Sequence, residues 1–175
     1  LGQTTDRKEE VIVSSAQNKG VDAYAQLMGE VFGEVARVLK DKGKATVVFH
    51  SAKPAVWNAL MQAYEKAGFR VQTTSILNKL QTSFKQVVSN VSVKGDPLIL
   101  LTKNDKLRKT RTYADLDDGI FHEIMRRAHS EHDPQEREPT RLYSRFVSRC
   151  LELGVQVSYN AEDFYHRVKA TELVA

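Results

Sequence analysis

Between Tyr24 and Leu39 the apolar residues Tyr24, Leu27, Met28, Val31, Phe32, Val35, Val38 and Leu39 recur at spacings of three and four, which places them on one side of a helix. Lys40, Lys42 and Lys44 follow where cations suit the negative pole of the helix dipole, and Gly43 marks the expected stop. The period then changes. Ala45 to Phe49 is a short apolar, β-branched run without alternation, which predicts a strand buried on both faces of a parallel sheet. His50 and Ser51 leave its carboxyl end. A second helix is announced by Ser51 as N-cap, Pro54 in the first turn and Gly68 at the far end. Val56, Leu60, Ala63, Tyr64 and Ala67 form its expected buried stripe, with Trp57 beside it, and Phe69 and Val71 begin a second strand.

A third strand is expected from Pro97 to Thr102, within DPLILLTK. The segment between the second and third strands, QTTSILNKLQTSFKQVVSNVSVKG, carries no helical stripe. Strands joined without a crossover helix are more easily antiparallel than parallel. The predicted order is therefore strand, helix, strand, long excursion, reversed strand. An excursion of that length is uncommon in a compact domain unless it has a function.

Beyond Asn104 the character changes. NDKLRKTRTYADLDDG is a charged connector, followed by a helix bearing Ile120, Phe121, Ile124 and Met125. Another helix starts near Thr140, carries Leu142, Tyr143, Phe146, Val147, Cys150, Leu151 and Leu153, and stops at Gly154. Val155 to Tyr159 is an extended link, and Asn160 caps a last helix with acids in its first turn. The expected division is thus an α/β unit over residues 1–103 and a small helical appendage over 104–175, serving packing or subunit contact. A homo-oligomer is left open.

Charge sharpens this division. Up to Lys103, fourteen Lys and Arg face nine Asp and Glu, a net of +5, whereas the remainder carries a net of −1. No acid occurs between Glu65 and Asp96, while Lys66, Arg70, Lys79, Lys85 and Lys94 fall in that interval. Such a segment suits contact with a polyanion, although a solvated loop with a few lysines has the same composition. No stretch is long and apolar enough to span a bilayer, and LGQTTDRKEE lacks the character of a secretory signal. No membrane partner and a cytoplasmic location are expected. The single cysteine, Cys150, reads as a core residue. His122, His129 and His132 lack a consistent tetrahedral ligand pattern, so no metal site is expected.

RVLKDKGKATVVFH, VWNALMQAYEKAGFRV and NKLQTSFKQVVSNVSVKGDPLILLTK together resemble the carboxyl-terminal half of the catalytic domain of S-adenosylmethionine-dependent DNA methyltransferases that modify exocyclic amino groups of adenine or cytosine. The resemblance covers roughly the first hundred residues, and SFKQV makes it more specific. It implies half of a Rossmann-like methyltransferase sheet with a reversed final strand, and DNA as the partner. In open α/β sheets ligands lie beyond the carboxyl ends of the parallel strands, so His50 and Ser51 are cleft candidates. Their plainer roles are boundary residue and helix cap. The resemblance makes Phe84 a candidate to stack on an extruded base, with a loop-anchoring role as its alternative. Lys79 and Lys85 would then meet phosphates, with Gln81 and Gln86 available for polar contacts.

The family's Asp/Asn-Pro-Pro-Tyr/Phe tetrapeptide does not occur in the chain, and neither does any Gly-x-Gly. Asp96-Pro97-Leu98 lacks the second proline and the aromatic residue, and reads as a turn opening a strand. This polypeptide by itself is therefore expected to hold no S-adenosylmethionine, to contain no catalytic residue and to be inactive. Leu1 and Gly2 suggest a point within a longer polypeptide, whose remainder would be a partner and would supply the cofactor site and the tetrapeptide. The alternative is a noncatalytic adaptor that uses a methyltransferase-like half sheet to bind protein or nucleic acid.

Overall fold

A computed structural model describes residues 10–77, 95–103 and 114–172 of the chain. Among them the protein is mixed α/β. Helix α1 (Val21–Val38) leads into strand β1 (Lys44–Val48), helix α2 (Pro54–Lys66) and strand β2 (Phe69–Leu77). Strand β3 (Asp96–Lys103) follows, then helices α3 (Ala114–His129), α4 (Pro139–Leu153) and α5 (Ala161–Glu172).

The sheet order is β1-β3-β2, and β3 runs antiparallel to both neighbours. β1 and β2 therefore point the same way, with the reversed strand inserted between them. Val47 lies opposite Ile99, and Ala45 and Val71 lie on either side of Leu101. Ile99 and Leu101 are fully buried, so this face of the sheet is the core face. Phe32 of α1 meets Tyr64 of α2 edge to face at 6.2 Å between ring centres, and Phe69 of β2 at 6.3 Å. Both helices thus cover the same face. Trp57, Leu60, Met61 and Tyr64 are essentially removed from water, and burial of side chains of this size contributes about 1.5–3 kcal/mol each.

The carboxyl-terminal helices continue that core. Phe121, Tyr143, Phe146 and Phe164 form interlocked ring contacts between α3, α4 and α5, within the same buried cluster as Phe32 and Ile99. Asn58 of α2 donates to the Val157 carbonyl at 3.0 Å and accepts from its N–H at 2.8 Å. The Ala161 N–H donates to the Ala52 carbonyl at 3.2 Å. Asn160 caps α5 as its sequence predicts: Oδ1 accepts from the Asp163 N–H at 2.8 Å. Cys150 is completely buried, and burial pushes its thiol well above the ordinary range.

Several expectations are corrected. β1 alternates between exposed and half-buried positions and is paired antiparallel, because the helices described here cover one face of the sheet. Val48 is 51% exposed. The stripe of α1 is only partly used: Phe32 is buried, whereas Val31 and Val38 are 45% and 67% exposed. α1 ends at Val38 rather than near Gly43. Gly43 instead closes a tight turn on the Lys40 carbonyl at 2.8 Å. Among the described residues no helix is long and apolar enough to cross a membrane.

Candidate functional site at the carboxyl ends of β1 and β2

Because β1 and β2 both oppose β3, their carboxyl ends meet at the edge of the sheet where β3 begins. The Phe49 N–H still donates to the Pro97 carbonyl at 3.2 Å, so the pairing extends past Val48 and carries His50 alongside Asp96. His50 Nδ1 lies 3.2 Å from Asp96 Oδ1. Asp96 is only 5% exposed and His50 lies at the surface. Asp96 is already within β3, opposite Leu77, and the turn is made by Gly95, at φ 87°. Its reading as a turn residue is therefore corrected, and Asp96 joins the cleft residues.

Ser51 sits beside this pair but does not cap α2. The helix starts at Pro54 with Lys53 as N-cap and no side-chain cap bond. The Ser51 hydroxyl accepts from the Lys53 N–H at 3.1 Å, and its carbonyl accepts from Trp57 Nε1 at 2.8 Å. Phe49 packs edge to face on Trp57 at 4.9 Å. The β1–α2 connection that presents His50 is thus held through Ser51 and Trp57 rather than through a cap. The remaining candidates, Lys79, Gln81, Phe84, Lys85 and Gln86, lie outside the described residues.

On the far side of β2 a groove of about 510 Å³ is lined by Thr74, Ile76, Arg127, Arg141, Arg145 and Arg149, among other residues. Arg141 donates twice to Glu136, at 2.9 and 2.8 Å, and Arg145 donates to the same carboxylate at 2.5 Å. Arg149 reaches Glu123 and Glu152 at 3.4 Å each. Glu152 in turn accepts from the Thr74 N–H at 2.9 Å and from its hydroxyl at 2.7 Å. The hydrogen bonds from Arg141 hold the Glu136 carboxyl below its ordinary range, against the opposing effect of burial. Arg127 also pairs with Glu123 at 2.8 Å and Arg145 with Glu131 at 3.4 Å, so these four arginines and Glu123, Glu131, Glu136 and Glu152 neutralise one another and the groove acts as a brace. It fastens α4 to the outer edge of β2, and the Ser144 hydroxyl adds a bond of 3.0 Å to the Gly95 carbonyl.

The spacing of Arg141, Arg145 and Arg149, four apart on one helix face, was the signal in the sequence for this brace. Among the described residues no group of three or more His, Cys, Asp or Glu is placed to hold a metal ion. No family model, curated protein or solved structure compared with the chain matches it.

Proposed function

We propose that this chain is the carboxyl-terminal part of the catalytic domain of a DNA methyltransferase that transfers a methyl group from S-adenosylmethionine to an exocyclic amino group of adenine or cytosine. The observation that carries the reading is the strand arrangement: two strands joined through α2, with a reversed strand between them. Such an arrangement agrees with the half sheet and reversed strand that the sequence resemblance implies.

On this reading the chain supplies the target side of the cleft. His50, beside Asp96, offers an imidazole beyond the strand ends as a hydrogen-bonding group. Phe84 stacks on the extruded base, recovering ~1–3 kcal/mol of lost stacking. Lys79 and Lys85 neutralise phosphates, and Gln81 and Gln86 make polar contacts beside them. The cofactor cradle and the tetrapeptide that receives the target amino group belong to the rest of the enzyme. S-adenosylmethionine, when bound there, supplies the methyl group.

The test is transfer of labelled methyl from S-adenosylmethionine to DNA by the protein as encoded, including whatever precedes Leu1. Label is expected in the amino groups of adenine or cytosine. Phe84→Ala should lower kcat/KM by about 5- to 150-fold, the equivalent of the stacking energy. Absence of transfer ends the enzymatic reading, and binding of protein or nucleic acid without transfer supports the adaptor instead. Unchanged transfer by Phe84→Ala removes the stacking role.

A further inference from the structure

The carboxyl-terminal helices reach the strand ends through α4. Ser144 of this helix is 1% exposed, in a stretch whose neighbouring core residues, Leu142, Tyr143, Phe146 and Val147, are apolar. A hydroxyl removed from water costs about 1–3 kcal/mol unless it finds a partner. Two acceptors lie in reach: the Thr140 carbonyl one turn back, at 3.3 Å, and the Gly95 carbonyl, at 3.0 Å. A hydroxyl has one proton to give, and the shorter bond leads out of the helix to the turn before β3. Arg141, three residues earlier and on the same side of α4, packs on the same glycine, since a Cβ there would lie 2.8 Å from its Nη1. Two side chains of α4 thus converge on Gly95, which they meet at φ 87°.

The Gly95 carbonyl and the Asp96 N–H belong to one rigid peptide plane. A hydrogen bond that fixes the direction of that carbonyl therefore also fixes where β3 starts. The sheet itself holds this end less firmly. Pro97 has no N–H to give to either neighbouring strand, and its carbonyl is held by the Phe49 N–H at 3.2 Å, at the long end of the hydrogen-bond range. Asp96 sits between these two anchors, with its Oδ1 3.2 Å from His50 Nδ1.

We propose that Ser144 is a positioning residue of the cleft: by holding the Gly95 carbonyl it keeps the Asp96 carboxylate beside His50. The helical appendage is then part of the site, beyond the packing role its sequence suggests. That the His50 and Asp96 pair serves a target base rests on the methyltransferase reading, whereas the positioning rests on the Ser144 bond alone.

The test is NMR of the histidine rings in residues 1–175, with Asp96→Asn as the reference for loss of the carboxylate. Ser144→Ala should shift the Gly95 carbonyl carbon and move the His50 ring resonances in the direction that Asp96→Asn moves them. The His122 and His166 rings should stay in place as the control for an intact fold. An unmoved His50 ring overturns the proposal, whether or not the Gly95 signal shifts. So does equal movement of all three rings, which makes Ser144 a general packing residue. In the protein as encoded, Ser144→Ala should lower kcat/KM for methyl transfer by about 10-fold or more, and should lower it no further once His50 is replaced by alanine. The same loss in both backgrounds overturns positioning through His50. Movement of the His50 ring without any methyl transfer upholds the positioning and ends the enzymatic reading, and transfer with an unmoved ring does the reverse.

Discussion

Replacing Asn58 with alanine tests whether the carboxyl-terminal helices and the sheet form one cooperative unit. The Asn58 carboxamide exchanges two hydrogen bonds with Val157, at 3.0 and 2.8 Å, and Val157 is only 2% exposed. Truncation removes the partner of a buried N–H and of a buried C=O together. Each group left unsatisfied costs about 1–3 kcal/mol, so the loss should total about 2–6 kcal/mol. For a chain of this size each kcal/mol lowers Tm by about 2–4 °C, which puts the fall on the order of 10 °C. Circular dichroism against temperature and urea should show a single transition, displaced with its urea slope unchanged. Asn58→Asp should not rescue it, because a carboxylate keeps the acceptor for the Val157 N–H but opposes the Val157 carbonyl. A loss below about 0.5 kcal/mol, or two separate transitions of which only one moves, would refute the reasoning.

Two further substitutions probe the end of β2 beside the cleft. At Gly95, held at φ 87°, an added Cβ would lie 2.7 Å from Ile76 Cγ2 and 2.8 Å from Arg141 Nη1. Gly95→Ala should therefore cost about 1–3 kcal/mol in urea unfolding, and a cost near zero would show that this backbone relaxes freely. Glu136→Gln removes a carboxylate whose folded pKa is depressed by Arg141. A depressed carboxyl stabilises the fold above its unfolded pKa, about 4.3, and that contribution fades as pH falls through the lower folded value. Wild type should thus exceed Glu136→Gln by roughly 1–3 kcal/mol at pH 7, with the gap closing below about pH 4. A gap that stays constant down to pH 3 would contradict the ion-pair account.

The elements of this fold were largely legible because their signals are local. Pro54, Gly68, Gly154 and Asn160 mark helix ends through backbone geometry or capping, and each does so here. The reversed third strand followed from the lack of a helical stripe in the sequence before it. Burial was less legible, since it depends on neighbours that the pattern does not name. The apolar run of β1 and the wide stripe of α1 call for two covered sides, yet Val48, Val31 and Val38 face outward. The His50–Asp96 contact spans 46 residues of sequence and depends on sheet register, which a residue pattern cannot supply. Ser51 illustrates a competition: the same hydroxyl that could cap a helix instead closes a short turn onto the Lys53 N–H.

Calorimetric titration with S-adenosylmethionine decides whether this chain is, as proposed, one side of a methyltransferase whose cofactor site lies in the rest of the polypeptide. The protein as encoded should bind the cofactor with an affinity on the order of micromolar or tighter, whereas residues 1–175 alone should produce no binding heat. Tight binding by residues 1–175, or none by the encoded protein, would contradict the account.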